Sequence, residues 1–423
     1  MLRIYGDNIL ECWRLLQYGI PSGQNYLGSS PYNLLEPTLR VLDKQFQLLP
    51  SPDLIPREIR DRLSSHKLSL RENPDAIIAK EDNILATFEF CSALPAGNNA
   101  WQRHGRALSL CLNGIKHFHV AKVGGYELDK DRNKKATRLP NPLLIISYMG
   151  MSNISKEGKS FFVPIVNEDT SDSLESLLLA CDCKSLMSHA VKSLFFESSN
   201  LDEIGAKIFA ANLALVSAVS KPEMTTSSFS RDEWSTLAQN VCDRSSAPLD
   251  EIMQMRKVNW KKSAPSNRSK SGQALQHYME KNFQSLGDSK IPICLARRRD
   301  LPSFQIFLDS LYGEGVVNMN LANLSSDLLI TCDSGFKPRG DDSRPARGLT
   351  PFARSLINKD SDTKILVFLY GPCKEYQWRD IKLGRIDKLA ASNGLWESIY
   401  NMADFLILDS EKHPHPLALE ISK

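Results

Sequence analysis

Apolar and polar positions along the chain alternate between two rhythms. A short apolar run, Leu2 to Tyr5, predicts a strand, and spacing near 3.6 predicts a helix from Asn8 to about Gln17 with Asp7 as its N-cap. A Pro- and Leu-rich stretch runs on to about Pro56, and a short polar helix is expected up to about Leu70. Two apolar runs follow, Ala76 to Ala79 and Ile84 to Phe90, each of strand length. Pro95-Ala96-Gly97-Asn98 breaks the second run. A helix from about Asn99 to Leu112 and a strand from Lys116 to Val123 complete the block. Strand, strand, helix, strand in this order predicts an α/β domain over residues 1–150, with a mixed central sheet and flanking helices.

Downstream the rhythm changes. Residues 151–255 are expected to be mostly helical, because Leu174 to Leu179, Leu186 to Phe196 and Ile204 to Val219 carry the 3.6 period, and they read as a helical subdomain. Residues 256–285 read as a basic linker. No acid lies between Glu251 and Glu280, while Arg256, Lys257, Lys261, Lys262, Arg268 and Lys270 do. Residues 286–423 return to α/β patterning, with strands expected at Ile291 to Leu295, Leu328 to Thr331, Ile365 to Tyr370 and Phe405 to Leu408. Between these strands, Lys337 to Gly348 is a polar, charge-dense loop.

Composition then narrows the class. With 423 residues and 42% hydrophobic content the chain is an ordinary folded protein rather than a disordered tail or a fibrous repeat. Lys plus Arg number 52 and Asp plus Glu 49, a net charge of +3, which excludes a polycationic nucleic-acid coat protein but not a nucleic-acid enzyme. The N-terminal residues lack the apolar core of a signal peptide, and no run is long enough to span a bilayer. The nine cysteines are scattered without framework spacing, which fits a reducing, cytoplasmic setting. Cys181 and Cys183 have no second pair nearby and read as structural rather than zinc-binding. His117 and His119 share a strand face without forming a ligand motif.

One residue does not fit its surroundings. Glu89 lies inside Ile84-Leu85-Ala86-Thr87-Phe88-Glu89-Phe90, a nearly unbroken apolar run. A buried carboxylate is costly unless it is paired, protonated or metal-bound. Glu89 is therefore expected to meet something positive, with Thr87 and Cys91 beside it on the same face. Asp75 opens the preceding strand, and two carboxylates on adjacent strands are a means of holding a divalent cation through oxygen. Such a cation activates water against a phosphodiester.

This arrangement resembles the PD-(D/E)XK, or restriction-endonuclease-like, nucleases. Pro74-Asp75 matches their first motif, and Glu89-Phe90-Cys91 matches the second in position, with Cys91 where the family carries Lys. Glu11, on the first helix, resembles the upstream glutamate of the RecB and lambda-exonuclease branch, and Gln102 resembles that branch's downstream glutamine. The resemblance runs from Gly6 to about Leu112. It implies a restriction-endonuclease-like core and magnesium-dependent hydrolysis of DNA, with manganese able to substitute. Asp75, Glu89 and Glu11 would ligate the metal, and Gln102 would orient water or a ligand. Arg103 and Arg106, three apart on the same helix, would hold phosphate, and Lys257, Lys261, Lys262, Arg339 and Arg344 would grip the DNA. By the same analogy the setting is restriction or anti-phage defence, as a homodimer or with a partner subunit and without a membrane. The alternative reading is an inactive, nuclease-like DNA-binding subunit of a larger complex.

A weaker echo lies near the C-terminus. Asp404 opens the strand Phe405 to Leu408 and Glu420 follows it, at a spacing similar to Asp75 and Glu89, which makes the two a candidate second site. Asp327, with Asp341 and Asp342, is a further strand-leading acid. Arg297, Arg298 and Arg299 are consecutive, a cluster that suits phosphate contacts or a solvated surface.

Overall fold

In a computed structural model the chain is a mixed α/β protein with two mixed sheets. The structure describes residues 1–20, 38–41, 44–63, 73–91, 98–123, 126–128, 133–136, 142–152, 154, 157–166, 181–196, 201–219, 230–242, 249–254, 270–286, 293–313, 316–334, 349–357, 361–370, 373–390, 394–409, 413 and 416–421. Its contacts divide into two units whose segments alternate along the chain. The first unit comprises residues 1–95, 106–139 and 155–218, and the second comprises 96–105, 140–154 and 219–423.

The first unit is built on seven strands: β1 (Leu2–Gly6), β2 (Thr38–Val41), β3 (Lys44–Leu49), β4 (Ala76–Lys80), β5 (Asn83–Cys91), β6 (His117–Val123) and β9 (Ser160–Val166). A separate two-stranded ribbon pairs β7 (Tyr126–Leu128) with β8 (Lys134–Ala136). The sheet order is β2-β3-β1-β4-β5-β6-β9. β4 and β5 form an antiparallel hairpin, and the helix Asn98–Leu112 follows β5 before β6 pairs parallel to it.

The pleat sorts the side chains of this sheet. Ala86 and Phe88 of β5, Phe118 and Val120 of β6 and Val163 of β9 face one way into a core shared with Leu15, Leu16, Met187, Val191 and Phe195 of two covering helices, Ile9–Gly19 and Cys183–Phe196. Phe88 stacks on Phe118 with ring centroids 5.1 Å apart. These helices pack closely at Gly19, where a Cβ would collide with the Phe195 ring. Thr87 and Glu89 of β5 and His117 and His119 of β6 sit at the alternate positions, and all four are buried.

Two sequence expectations change here. The cap of the first helix is Asn8, whose side chain accepts from the backbone N–H groups of Leu10 and Glu11 at 3.0 and 3.3 Å, and not Asp7. Residues 151–255 are not purely helical, because Ser160 to Val166 forms β9 on the edge of the first sheet. Pro164 is tolerated there because an edge strand has one side with no ladder to feed. Of the helix expected to end near Leu70, Arg57–Leu63 is helical, and its expected end lies outside the described residues.

The second unit carries β10 (Gln284–Leu286), β11 (Ile293–Ala296), β12 (Val317–Asn318), β13 (Leu328–Ser334), β14 (Lys364–Tyr370), β15 (Phe405–Asp409) and β16 (Leu417–Glu420) in the order β10-β11-β13-β14-β15-β16-β12. The continuous apolar character of β13, β14 and β15 follows from their central, mutually parallel placement. Their core includes Leu328, Ile330, Leu366, Phe368 and Ile407 packed with Phe304 and Leu308 of the helix Leu301–Tyr312.

Candidate active site

The site gathers at one end of the β4–β5 hairpin. Ala76 pairs with Phe88, so Asp75, one residue before β4, lies beside the Glu89 end of β5. The Asp75 carboxylate accepts from the Phe90 backbone N–H at 2.6 Å, and its carbonyl accepts from Asp7 N–H at 3.1 Å. The same Asp7 N–H donates to Glu11 Oε2 at 3.1 Å. One backbone amide between β1 and the first helix therefore ties Glu11 to the start of β4.

This closeness has an electrostatic signature. The Glu11 carboxyl is pushed up to about 7, first by burial and then by the negative charges of Asp75 and Asp7. Near neutrality Glu11 thus holds a proton part of the time, and a cation placed between it and Asp75 would displace that proton. Magnesium requires only one or two carboxylates and otherwise keeps waters or substrate phosphates. Glu11 and Asp75 fit that donor set. Among the described residues no three His, Cys, Asp or Glu side chains converge as a closed metal cage.

Glu89 meets a positive partner from the following helix. The Arg106 guanidinium, through Nη1, binds Glu89 Oε2, and both side chains are almost wholly buried, at 9% and 4% exposure. Arg106 therefore lies in the interior against the sheet and not on a DNA-facing surface. Next to this pair, Thr87 Oγ1 and His117 Nδ1 are 3.0 Å apart. Burial, aided by the Arg106 charge, pushes the His117 imidazole down to about 3, so it is neutral at physiological pH. His119, across the ladder from Glu89, stacks on Phe162 with centroids 5.6 Å apart. Cys91 is a buried thiol.

The remaining expected residues divide. Arg103 is half-buried one turn before Arg106. Gln102 lies on that helix, but its side chain falls outside the described residues, as do Lys257, Lys261, Lys262, Arg339 and Arg344. Asp404 and Glu420 are not brought together. Glu420 is opposite Phe405 in the β15–β16 register, so Asp404, the next residue along, belongs to the other face of the sheet. The Asp404 carboxylate is instead used locally. It accepts from Ile365 N–H at 2.9 Å and has the Lys364 ammonium 4.0 Å away. The sequence reading did not anticipate Asn8 or the Thr87–His117 contact. The period-2 spacing of Thr87 with Glu89 and of His117 with His119 was the available signal.

The fold and site thus define a mixed α/β protein with a paired-carboxylate cluster beside a buried ion pair. Comparison with protein-family models, curated proteins and solved structures yields no match. Among the described residues no helix is long and apolar enough to cross a membrane.

Proposed function

We propose that the chain is a magnesium-dependent deoxyribonuclease with a restriction-endonuclease-like core, acting in the cytoplasm in restriction or anti-phage defence. The observation that carries this reading is the shared Asp7 N–H, which reaches both Glu11 Oε2 and the Asp75 carbonyl and so brings Glu11 to the start of β4, where burial first and the Asp75 charge second raise its carboxyl to about 7. Glu11 and Asp75 would hold the cation, and a bound magnesium ion supplies an activated water and offsets charge on the scissile phosphate. Backbone amides fix these two carboxylates, through Phe90 N–H on Asp75 and Asp7 N–H on Glu11. Glu89 lies on β5 one residue before Phe90, whose N–H holds Asp75, and its carboxylate is bound by Arg106. Arg106 thus becomes a positioning residue in this scheme, and the phosphate-holding role passes to other cations.

The Glu89–Arg106 pair also favours a second reading, in which Glu89 is purely structural and the chain is a non-catalytic DNA-binding subunit. One assay separates the two. DNA is incubated with magnesium or manganese and wild-type, Glu89→Gln, Asp75→Asn or Asp404→Asn chain. The nuclease reading expects cleavage by wild type and Asp404→Asn. It expects losses of at least about 100-fold in Asp75→Asn and Glu89→Gln, the scale of one electrostatic contact at a reacting centre. Intact DNA that every variant still retards on a gel replaces it with the binding reading.

A further inference from the structure

In the second unit a groove of about 950 Å³ is lined by Arg297, Arg298, Arg299, Gln284 and Asn323, with Asp250 and Asp327 as its acids. Both acids are engaged by a single cation. The Arg297 guanidinium binds Asp250 on one side and Asp327 on the other, the latter at 2.7 Å, and reaches the Gln284 side-chain oxygen at 3.3 Å. Neither lining carboxylate is left to repel an incoming anion on its own.

The same contacts fix the backbone that carries the next two arginines. Arg298 to Asp300 forms a 3-10 turn, Asp327 Oδ1 accepts from Arg298 N–H at 2.8 Å, and Arg297 carbonyl accepts from Asp300 N–H at 2.8 Å. Arg298 and Arg299 emerge from this pinned turn into solvent, with the Arg299 side chain 85% exposed. Arg299 pairs with Asp300 at 3.7 Å, an exposed contact that binds weakly. A fixed turn offering two exposed guanidiniums at the rim of an open concave surface is preorganised for phosphate oxygens, which match the planar donor fork.

We propose that this groove grips the sugar–phosphate backbone of DNA, with Arg298 and Arg299 as two phosphate contacts and Arg297 as the positioning residue beneath them. The choice of DNA as ligand rests on the nuclease reading. It supplies a cationic surface among the described residues, in place of the buried Arg106.

The test uses the full chain in EDTA with a fluorescein-labelled DNA duplex, and follows affinity by anisotropy across a series of KCl concentrations. Each phosphate contact contributes about 0.9 to the slope of log affinity against log salt, so Arg298→Ala with Arg299→Ala should make that slope shallower by about 1.8. A control, Arg385→Ala with Lys388→Ala, removes the same charge from exposed positions elsewhere in the unit and should leave the slope near wild type. Both double variants are exposed-residue changes, and their thermal unfolding should match wild type. An unchanged slope in the groove variant, an equal loss in both variants, or no DNA binding by wild type overturns the proposal. Cleavage in magnesium is scored separately. A lost slope with no wild-type cleavage leaves the groove standing and the hydrolytic reading fallen, and cleavage with an unchanged slope does the reverse.

Discussion

The two sheets share a run of strand pairings and differ in what their central strand offers the helix that follows it. Across β1-β4-β5-β6-β9 the pairings are antiparallel, antiparallel, parallel, parallel. Across β10-β11-β13-β14-β15 they are the same four in the same order. In the first sheet β5 meets its following helix through an ion pair, Glu89 with Arg106. In the second, β13 meets the helix Leu349–Ser355 through two hydroxyls, Thr331 and Thr350, 2.8 Å apart and both fully buried. One architecture thus accepts either a charged or a neutral link at this place. The charged link sits beside the carboxylates Glu11 and Asp75. A neutral strand–helix link suffices to close the sheet, as β13 shows, so the costlier charged one calls for a reason beyond packing.

Breaking each link on one side measures that difference. Arg106→Met should destabilise the fold by about 3–5 kcal/mol, because it removes one member of a buried ion pair. Adding Glu89→Leu to it should recover most of that loss, since an apolar pair makes no demand for charge. Denaturant unfolding of the single and double variants checks both, and a mild single variant would place the pair in solvent.

The next effect concerns the carboxylates beside the first sheet, Glu11 and Asp75. Glu11 is raised from 4.5 to about 7. The folded chain therefore keeps a proton that the unfolded chain releases between those values, so this group weakens the fold as pH rises through that window and most of all above it. On the proposed nuclease reading, magnesium displaces the same proton. Its apparent affinity should climb about tenfold per pH unit below neutrality and level off above. Calorimetric titration at several pH values reads this, and a flat profile would detach Glu11 from the cation.

The smallest effect belongs to the neutral link. Thr331→Val should cost about 1 kcal/mol by removing its hydrogen bond to the Thr350 hydroxyl, and adding Thr350→Val to it should cost less than Thr350→Val alone. A cost here equal to that of Arg106→Met would erase the contrast between the two sheets.

Much of the first sheet was legible because its signals are local. The β4 and β5 runs, the break at Pro95 to Asn98 and the strand after Lys116 each show in a window of a few residues. Glu89 was legible as a misfit, and its need for a positive partner followed from desolvation alone. Which cation would answer was not, because a single helix does not say which of its arginines turns inward. β9 was hidden among helical neighbours, although Phe161-Phe162-Val163 has strand chemistry. The pairing of Asp404 with Glu420 failed for a different reason. Separation along the chain was similar to that of Asp75 and Glu89, but one residue of register on a strand reverses the side chain's direction.

The alternation of the two units along the chain has a consequence for how the protein is made. A ribosome delivers β1 to β6 early, yet β9 arrives only after residues 140–154, which belong to the other unit. The first unit waits for its edge strand while part of the second is already out of the exit tunnel. Neither unit corresponds to one continuous stretch of the gene, so no single pair of start and stop codons expresses either alone. A premature stop just before Ser160 would yield a β6 whose outer ladder groups face water, an open template for aggregation.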